Sequence, residues 1–209
     1  MDAHRSISLA GSTLTGPHHV CAFFRDKDEM FRVLLPFIVE GLEQREQAIH
    51  LMDADNIDLY LGYLAAGGVD VDAAVASGQL QLVEWDQSYL YHGRFIETSA
   101  LRIAHDALTK AHEQGYPRAR LIGDMDWALE DWVVTESFLS FEVHANDLMN
   151  HHSNDVAICT YDLSRFGGAV VLDVMRTHPM AIIGGVLQHN PFYVEPQEML
   201  RELRTRGKR

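Results

Sequence analysis

The chain has 209 residues, enough for one domain with a sizeable core. Apolar side chains make up 47% and charged ones 22%, an ordinary globular balance that excludes a disordered or fibrous chain. The net charge of −13, from 30 acidic and 17 basic residues, argues against direct binding to nucleic acid or to an anionic membrane, because phosphate contacts need clustered Lys and Arg. The one basic cluster, Arg201 to Arg209, reads as a solvated or frayed end. Two cysteines, Cys21 and Cys159, are too few for a disulfide framework. With no signal-peptide pattern and no apolar run of membrane-spanning length, the expectation is a cytoplasmic protein with both thiols free.

Met1 to Gly16 is polar and rich in small residues and is expected to be a flexible arm, with residues 17–209 forming a single domain. His18 to Phe24 reads as a strand. Asp26 can cap the following helix, with Glu29 as its capping-box partner. Phe31, Leu34, Leu35, Ile38, Val39 and Leu42 then fall at helical spacing, with Pro36 expected to kink the helix. Ala48 to Met52 is a second strand. Ile57 to Ala66 and Val69 to Ser77 read as helices, and Leu80 to Trp85 as a strand. A tyrosine-rich loop, Gln87 to Gly93, precedes a long helix, Phe95 to Gln114, stopped by Gly115 and Pro117. Ala119 to Ile122 is a short strand running into Gly123-Asp124-Met125-Asp126-Trp127. Thr135 to Asn150, Ala169 to Thr177 and Glu195 to Arg206 are helices. Val156 to Tyr161 and Met180 to Gly184 are strands, with Val186 to Gln188 placed to pair beside the latter. Such alternation implies an α/β fold with a mostly parallel central sheet and helices on both faces.

In such sheets ligands bind beyond the carboxyl ends of the strands. Four segments fall there: Phe24 to Asp28, Asp53 to Asn56, Trp85 to Arg94 and Gly123 to Trp132. The first joins a strand to a helix, as a phosphate-binding loop does. It has no glycine to let the backbone approach a phosphate, and Asp26, Asp28 and Glu29 stand where an anion would sit. Their plain reading is helix capping. His19 and Cys21 share one strand face, and Cys159 could join them; imidazole and thiol groups could ligate a metal or touch a ligand, but a lone His-x-Cys is no metal signature and buried cysteine is common. Asp124 and Asp126 are ligand contacts or helix caps. Trp127 and Trp132 line a pocket or fill core. Tyr89, Tyr91 and Phe95 line a pocket mouth or pack the loop on the sheet. The 12 histidines are mostly scattered. No nucleophile elbow and no dinucleotide fingerprint occurs.

Several runs taken in order carry a family resemblance. They are His19-Val-Cys21-Ala-Phe23-Phe24, the helix end Phe37-Ile-Val-Glu40-Gly41-Leu42, Tyr89-Leu90 with Gly93-Arg94-Phe95, and Gly123-Asp124-Met125-Asp126-Trp127-Ala128-Leu129. Glu142 and Asn146, Cys159-Thr-Tyr161-Asp162, Arg176-Thr-His178-Pro179 and Asn190-Pro191-Phe192-Tyr193-Val194 follow. The ordered set resembles the MEDS domain, the methanogen/methylotroph, DcmR sensory domain, from about His18 to the C-terminus. The resemblance implies a RecA-like or KaiC-like core lacking a functional phosphate-binding loop, and no ATP hydrolysis. It also implies sensing of small molecules, hydrocarbon derivatives among them, and output to histidine kinases, anti-sigma circuits or transcription regulators. Asp124 would lie near the Walker B acid of KaiC-type ATPases, although the family often has Glu there. The ligand-site candidates it carries over are His19, Cys21, Asp124, Asp126, Trp127 and Cys159. A sensor ending soon after this region would act on a separate partner or by oligomerising. Two alternatives stand beside the sensor: a metal-dependent hydrolase using Asp124, Asp126 and His19, and a ligand-free protein-interaction module.

Overall fold

A computed structural model describes residues 6–15, 18–90 and 93–206. Seven strands form one sheet: β3 (His19–Phe24), β4 (Gln47–Met52), β5 (Leu80–Glu84), β6 (Ala119–Asp124), β7 (Val156–Asp162), β8 (Met180–Ile183) and β9 (Val186–His189). Their spatial order is β5-β4-β6-β7-β3-β8-β9. All neighbours are parallel except β8 and β9, an antiparallel pair joined through Gly184 and Gly185, both at positive φ. The strands β3, β4 and β6 are buried at every position, which is why apolar residues occupy both faces of each rather than alternating with polar ones.

Helices cover both faces. On one lie α1 (Lys27–Glu43), α2 (Ile57–Ala66) and α3 (Val71–Ala76), packed on Val20, Ala22, Phe24, Ile122 and Ile158. On the other lie α4 (Glu97–Glu113), α5 (Thr135–His151), α6 (Gly168–Thr177) and α7 (Pro196–Arg206), packed on Cys21, Phe23, Leu121, Ala157 and Cys159. The two residue sets alternate along β3 because successive side chains leave opposite faces of a strand.

Three expectations need correction. The stretch read as a flexible arm contains a hairpin, β1 (Ile7–Leu9) and β2 (Ser12–Leu14). Ile7, Leu9 and Leu14 are buried with α1's core face, so each alternates inward from a ribbon that looked merely polar. Ala10 and Gly11 make its turn at positive φ. Met1 to Arg5 and Gly16 lie outside the described residues. The helix α1 runs through Pro36 without interruption. The described part of the basic end is not frayed: it forms the last turns of α7, with Leu203 buried and Arg206 pairing with Asp173 at 2.6 Å. Arg201, Arg204 and Arg206 remain solvated as expected, and residues 207–209 lie outside the described residues.

Candidate functional site

The β3–α1 connection consists of Arg25 and Asp26 alone. Asp26 caps α1 by accepting from the Glu29 backbone N–H at 2.7 Å, and Glu29 accepts in turn from the Arg25 N–H at 2.8 Å. The first bond satisfies an orphan donor of the helix start, and the second ties the residue before the cap to the first turn. Asp28 accepts from the Tyr63 hydroxyl. The capping reading thus describes Asp26, while Glu29 binds the preceding Arg25 and Asp28 a tyrosine.

Lys27, the first residue of α1, points across the carboxyl ends of the strands. Its ammonium donates to Asp124 at 2.8 Å and to Asp126 at 3.4 Å. Arg165 closes the far side with a 2.6 Å contact to Asp126. Both carboxylates are almost fully buried, so an unpaired charge there would be costly. Burial raises the Asp124 carboxyl above its usual range against the pull of Lys27. Burial also disfavours the Lys27 ammonium, but Asp124 and Asp126 outweigh it and raise its pKa. The Asp124 carbonyl accepts from the Trp85 indole N–H, and its side chain from the Asp126 backbone.

This cluster borders a crevice lined by Phe24, Asp26, Lys27, Asp124, Thr160 and Tyr161, with a free volume of only ≈ 10 Å³. That is room for about one water molecule. It lies between β3 and β7, whose following helices α1 and α6 cover opposite faces of the sheet. Such a reversal is the topological switch point at which open α/β sheets hold ligands.

Trp127 is fully buried rather than lining an open pocket. It stacks on Tyr89 with ring centroids 4.8 Å apart and meets Phe95, Phe138 and Phe141. Tyr89 and Phe95 thus pack their loop against the sheet; Tyr91 lies outside the described residues. Trp132 is half exposed.

The remaining candidates gather elsewhere. His19 and Cys159 meet on the α5 side of the sheet, Sγ to Nε2 at 3.4 Å, and Cys21 is the register neighbour of Cys159 with its thiol toward the Met180 carbonyl. His19 lies at the amino end of β3 and Asp124 at the carboxyl end of β6, separated by the strand between and by three residues of register. That amounts to roughly 14 Å at ordinary strand spacings. The hydrolase constellation of His19 with the two aspartates is therefore not assembled.

Two residues join His19 and Cys159 that sequence reasoning quoted but did not select. Glu142 from α5 and His178 after α6 are both fully buried. Glu142 Oε2 lies 3.5 Å from His19 Nε2, 3.5 Å from Cys159 Sγ and 3.2 Å from His178 Nε2, while Oε1 accepts from the Tyr161 hydroxyl at 2.6 Å. Burial raises the Glu142 carboxyl, but His178 and His19 prevail and hold it well below the usual carboxylate range. Burial, then the Glu142 charge, pushes the Cys159 thiol well up. The available signal was a carboxylate and an amide, Glu142 and Asn146, one turn apart on an otherwise apolar helix face.

Comparison with known proteins agrees with the sequence reading. A family model described as "MEthanogen/methylotroph, DcmR Sensory domain" matches residues 18–179. The transcriptional repressor DcmR of Methylorubrum extorquens is 25% identical over 171 residues, 81% of this chain. The match spans 61% of that relative's length. A KaiC-like protein from Pyrococcus horikoshii superposes with a TM-score of 0.52 over 79% of this chain and 71% of its own, at 12% identity, a likeness of fold alone. Among the described residues no helix is long and apolar enough to cross a membrane.

Proposed function

Because this chain belongs to the MEDS family of sensory domains, we propose that it binds a small molecule in the crevice between β3 and β7 and reports occupancy to a separate regulatory partner. The observation that carries this reading is the ion pair from Lys27 to Asp124 and Asp126, seated where a sheet of this topology holds a ligand. With free space for about one water, the crevice must open to take anything larger. Opening means parting Lys27 from the carboxylates, which defines a locked and an unlocked state. A ligand signals only through its differential affinity for two such states.

The walls suit a small molecule with one polar group, such as a hydrocarbon derivative. Phe24, Met30 and Tyr161 offer apolar surface, and Asp124 and Thr160 offer polar anchors. A nucleotide fits poorly. The connection before α1 has two residues and no glycine, its helix-start N–H groups are partly taken by Asp26, and its acidic side chains repel phosphate. The reading is thus a RecA-like frame used without a phosphate-binding loop and without ATP hydrolysis. The acidic charge favours a protein partner over nucleic acid. The kinship with a transcriptional repressor supports a transcription regulator as that partner, with a histidine kinase or anti-sigma factor as the alternatives that the family resemblance implies.

The test is a thermal-shift screen of the full chain against short-chain alcohols, halides, amides and acids, with Mg-ATP alongside. The expected result is a rise in Tm with one compound class and none with Mg-ATP. Stabilisation by Mg-ATP, with none from the small molecules, would overturn the reading.

A further inference from the structure

His19, Glu142, Cys159 and His178 form a buried four-ligand cluster that the crevice does not use. We propose that these four side chains bind one zinc-type divalent metal ion in a closed tetrahedral site joining β3, β7, α5 and the α6–β8 connection.

Distances come first. One atom from each residue lies within 4.8 Å of all the others. Four of the six separations are 3.2 Å for His178 Nε2 to Glu142 Oε2, 3.4 Å for Cys159 Sγ to His19 Nε2, and 3.5 Å for Glu142 Oε2 to both His19 Nε2 and Cys159 Sγ. Tetrahedral zinc with bonds of about 2.0–2.3 Å places its ligand atoms about 3.3–3.7 Å apart. These four separations match those dimensions to within about 0.1 Å, and the other two lie within 4.8 Å.

Orientation is the second, independent observation. His178 Nε2 is fully buried and has no hydrogen-bond partner, although it is 3.2 Å from Glu142. The atoms are close, but the imidazole is not aimed at the carboxylate as a donor would be. Ligands converging on a shared central ion have this arrangement. The opposite ring nitrogens fix the tautomers. His178 Nδ1 is 3.0 Å from the Val174 carbonyl, which can only accept, and 2.9 Å from the Thr177 hydroxyl, which donates its own proton to that carbonyl at 2.8 Å and so accepts from the imidazole. His19 Nδ1 is 3.1 Å from Asn146 Oδ1. The Asn146 amide nitrogen donates to the carbonyls of Glu142, Val143 and Thr177, so its oxygen must be the acceptor toward His19. With an ion bound, both histidines keep a proton on Nδ1 and turn the Nε2 lone pair inward, in place of the Nε2 proton that faces Glu142 without it. Metal-binding histidines are held in this way by outer partners. Tyr161 does the same for Glu142, occupying Oε1 and leaving Oε2 for the ion.

Charge is the third. Without a cation, the buried Glu142 charge is met only by protons on the two histidine Nε2 atoms, and a divalent ion can take their place. A divalent ion with the Glu142 carboxylate and the Cys159 thiolate sums to zero. Binding transfers the thiol proton to solvent, and the ion takes over the stabilisation of the sulfur anion. All four residues are buried and all four positions are filled by protein, which is the pattern of a structural rather than a catalytic zinc site.

The test uses the full-length chain, stripped with a chelator and titrated with Co²⁺. The expected result is one equivalent bound, with the intense visible bands of tetrahedral cobalt and a near-ultraviolet thiolate-to-cobalt band. Cys159→Ser should lose the thiolate band and weaken binding by more than about tenfold. Asn146→Ala, which frees the His19 ring, should weaken it by about tenfold while keeping the band. A second grouping, His112 with His152 and Asp155, is half exposed, so His112→Ala serves as a control that leaves the spectrum unchanged. A weak octahedral spectrum without a thiolate band, or loss of binding only in His112→Ala, would overturn the proposal. The wild-type titration decides the matter even if a variant fails to fold.

Discussion

Replacing Lys27 by Met removes the ammonium while keeping most of the stem, and so isolates the lock over the crevice. The pair is intermediate in burial: the Lys27 side chain is 24% exposed, and those of Asp124 and Asp126 are 4% and 2% exposed. Exposed pairs are worth about 0–1 kcal/mol, whereas stripping one partner from a fully buried pair costs about 3–5 kcal/mol. Asp126 keeps Arg165, so the uncompensated charge falls mainly on Asp124. The expected cost is about 2–3 kcal/mol between these limits. The double variant Lys27→Met with Asp124→Asn should be more stable than the sum of the single effects by about 1–2 kcal/mol, since neither leaves a lone charge. Urea unfolding at constant slope measures all three. The pH dependence has a definite sign. Asp124 already has a raised pKa through burial, and losing Lys27 raises it further. A carboxyl whose folded pKa exceeds its unfolded value binds more protons when folded, so stability falls as pH rises through the folded pKa. The deficit of Lys27→Met should therefore be fully present near pH 7 and shrink toward about pH 4, near the unfolded Asp pKa. A loss under about 0.5 kcal/mol at pH 7, or no coupling with Asp124→Asn, would place the pair among solvated surface contacts and refute the lock.

Two further changes probe the frame that positions the site. Gly41→Ala would put a methyl group 2.6 Å from Arg120 Nε, and Arg120 cannot yield because Glu46 and Glu40 hold it at 2.5 Å and 3.0 Å; a loss of about 1–3 kcal/mol in urea unfolding is expected. Glu46→Gln removes the buried charge shared by Arg118 and Arg120, at 2.7 Å and 2.5 Å, and should cost about 3–5 kcal/mol, read as a fall in Tm at neutral pH.

The sheet was legible because its strands carry one physical signature, a short apolar run buried on both faces and bounded by turns. His19 to Phe24 and Ala119 to Asp124 show it directly, the latter reaching two residues further than expected because a buried Gly123-Asp124 pair still joins the ladder. The hairpin was not legible: Ile7, Leu9 and Leu14 are three apolar residues among polar ones, and only the core of α1 gives them a place to go. The candidate residues were identified individually but not as groups. His19 and Cys159 meet through strand order, which periodicity does not encode, and Asp124 is set apart from them by the same register. Glu142 and His178 were identified only as family residues; Glu142 with Asn146 on an apolar helix face signals a buried polar pair, but nothing local names the residues it meets. Trp127 stands beside Asp126, yet its ring enters the aromatic core while the carboxylate faces Lys27.

Hydrogen–deuterium exchange with and without a stabilising compound from the screen tests the central claim most directly, because it maps where the ligand acts. The account expects added protection in residues 24–30, 124–129 and 160–166, the segments that carry Lys27, Asp124, Asp126, Tyr161 and Arg165 around the crevice. Protection confined to the groove formed by α1 and α3 around Val39 and Ala73, with the crevice segments unchanged, would contradict it.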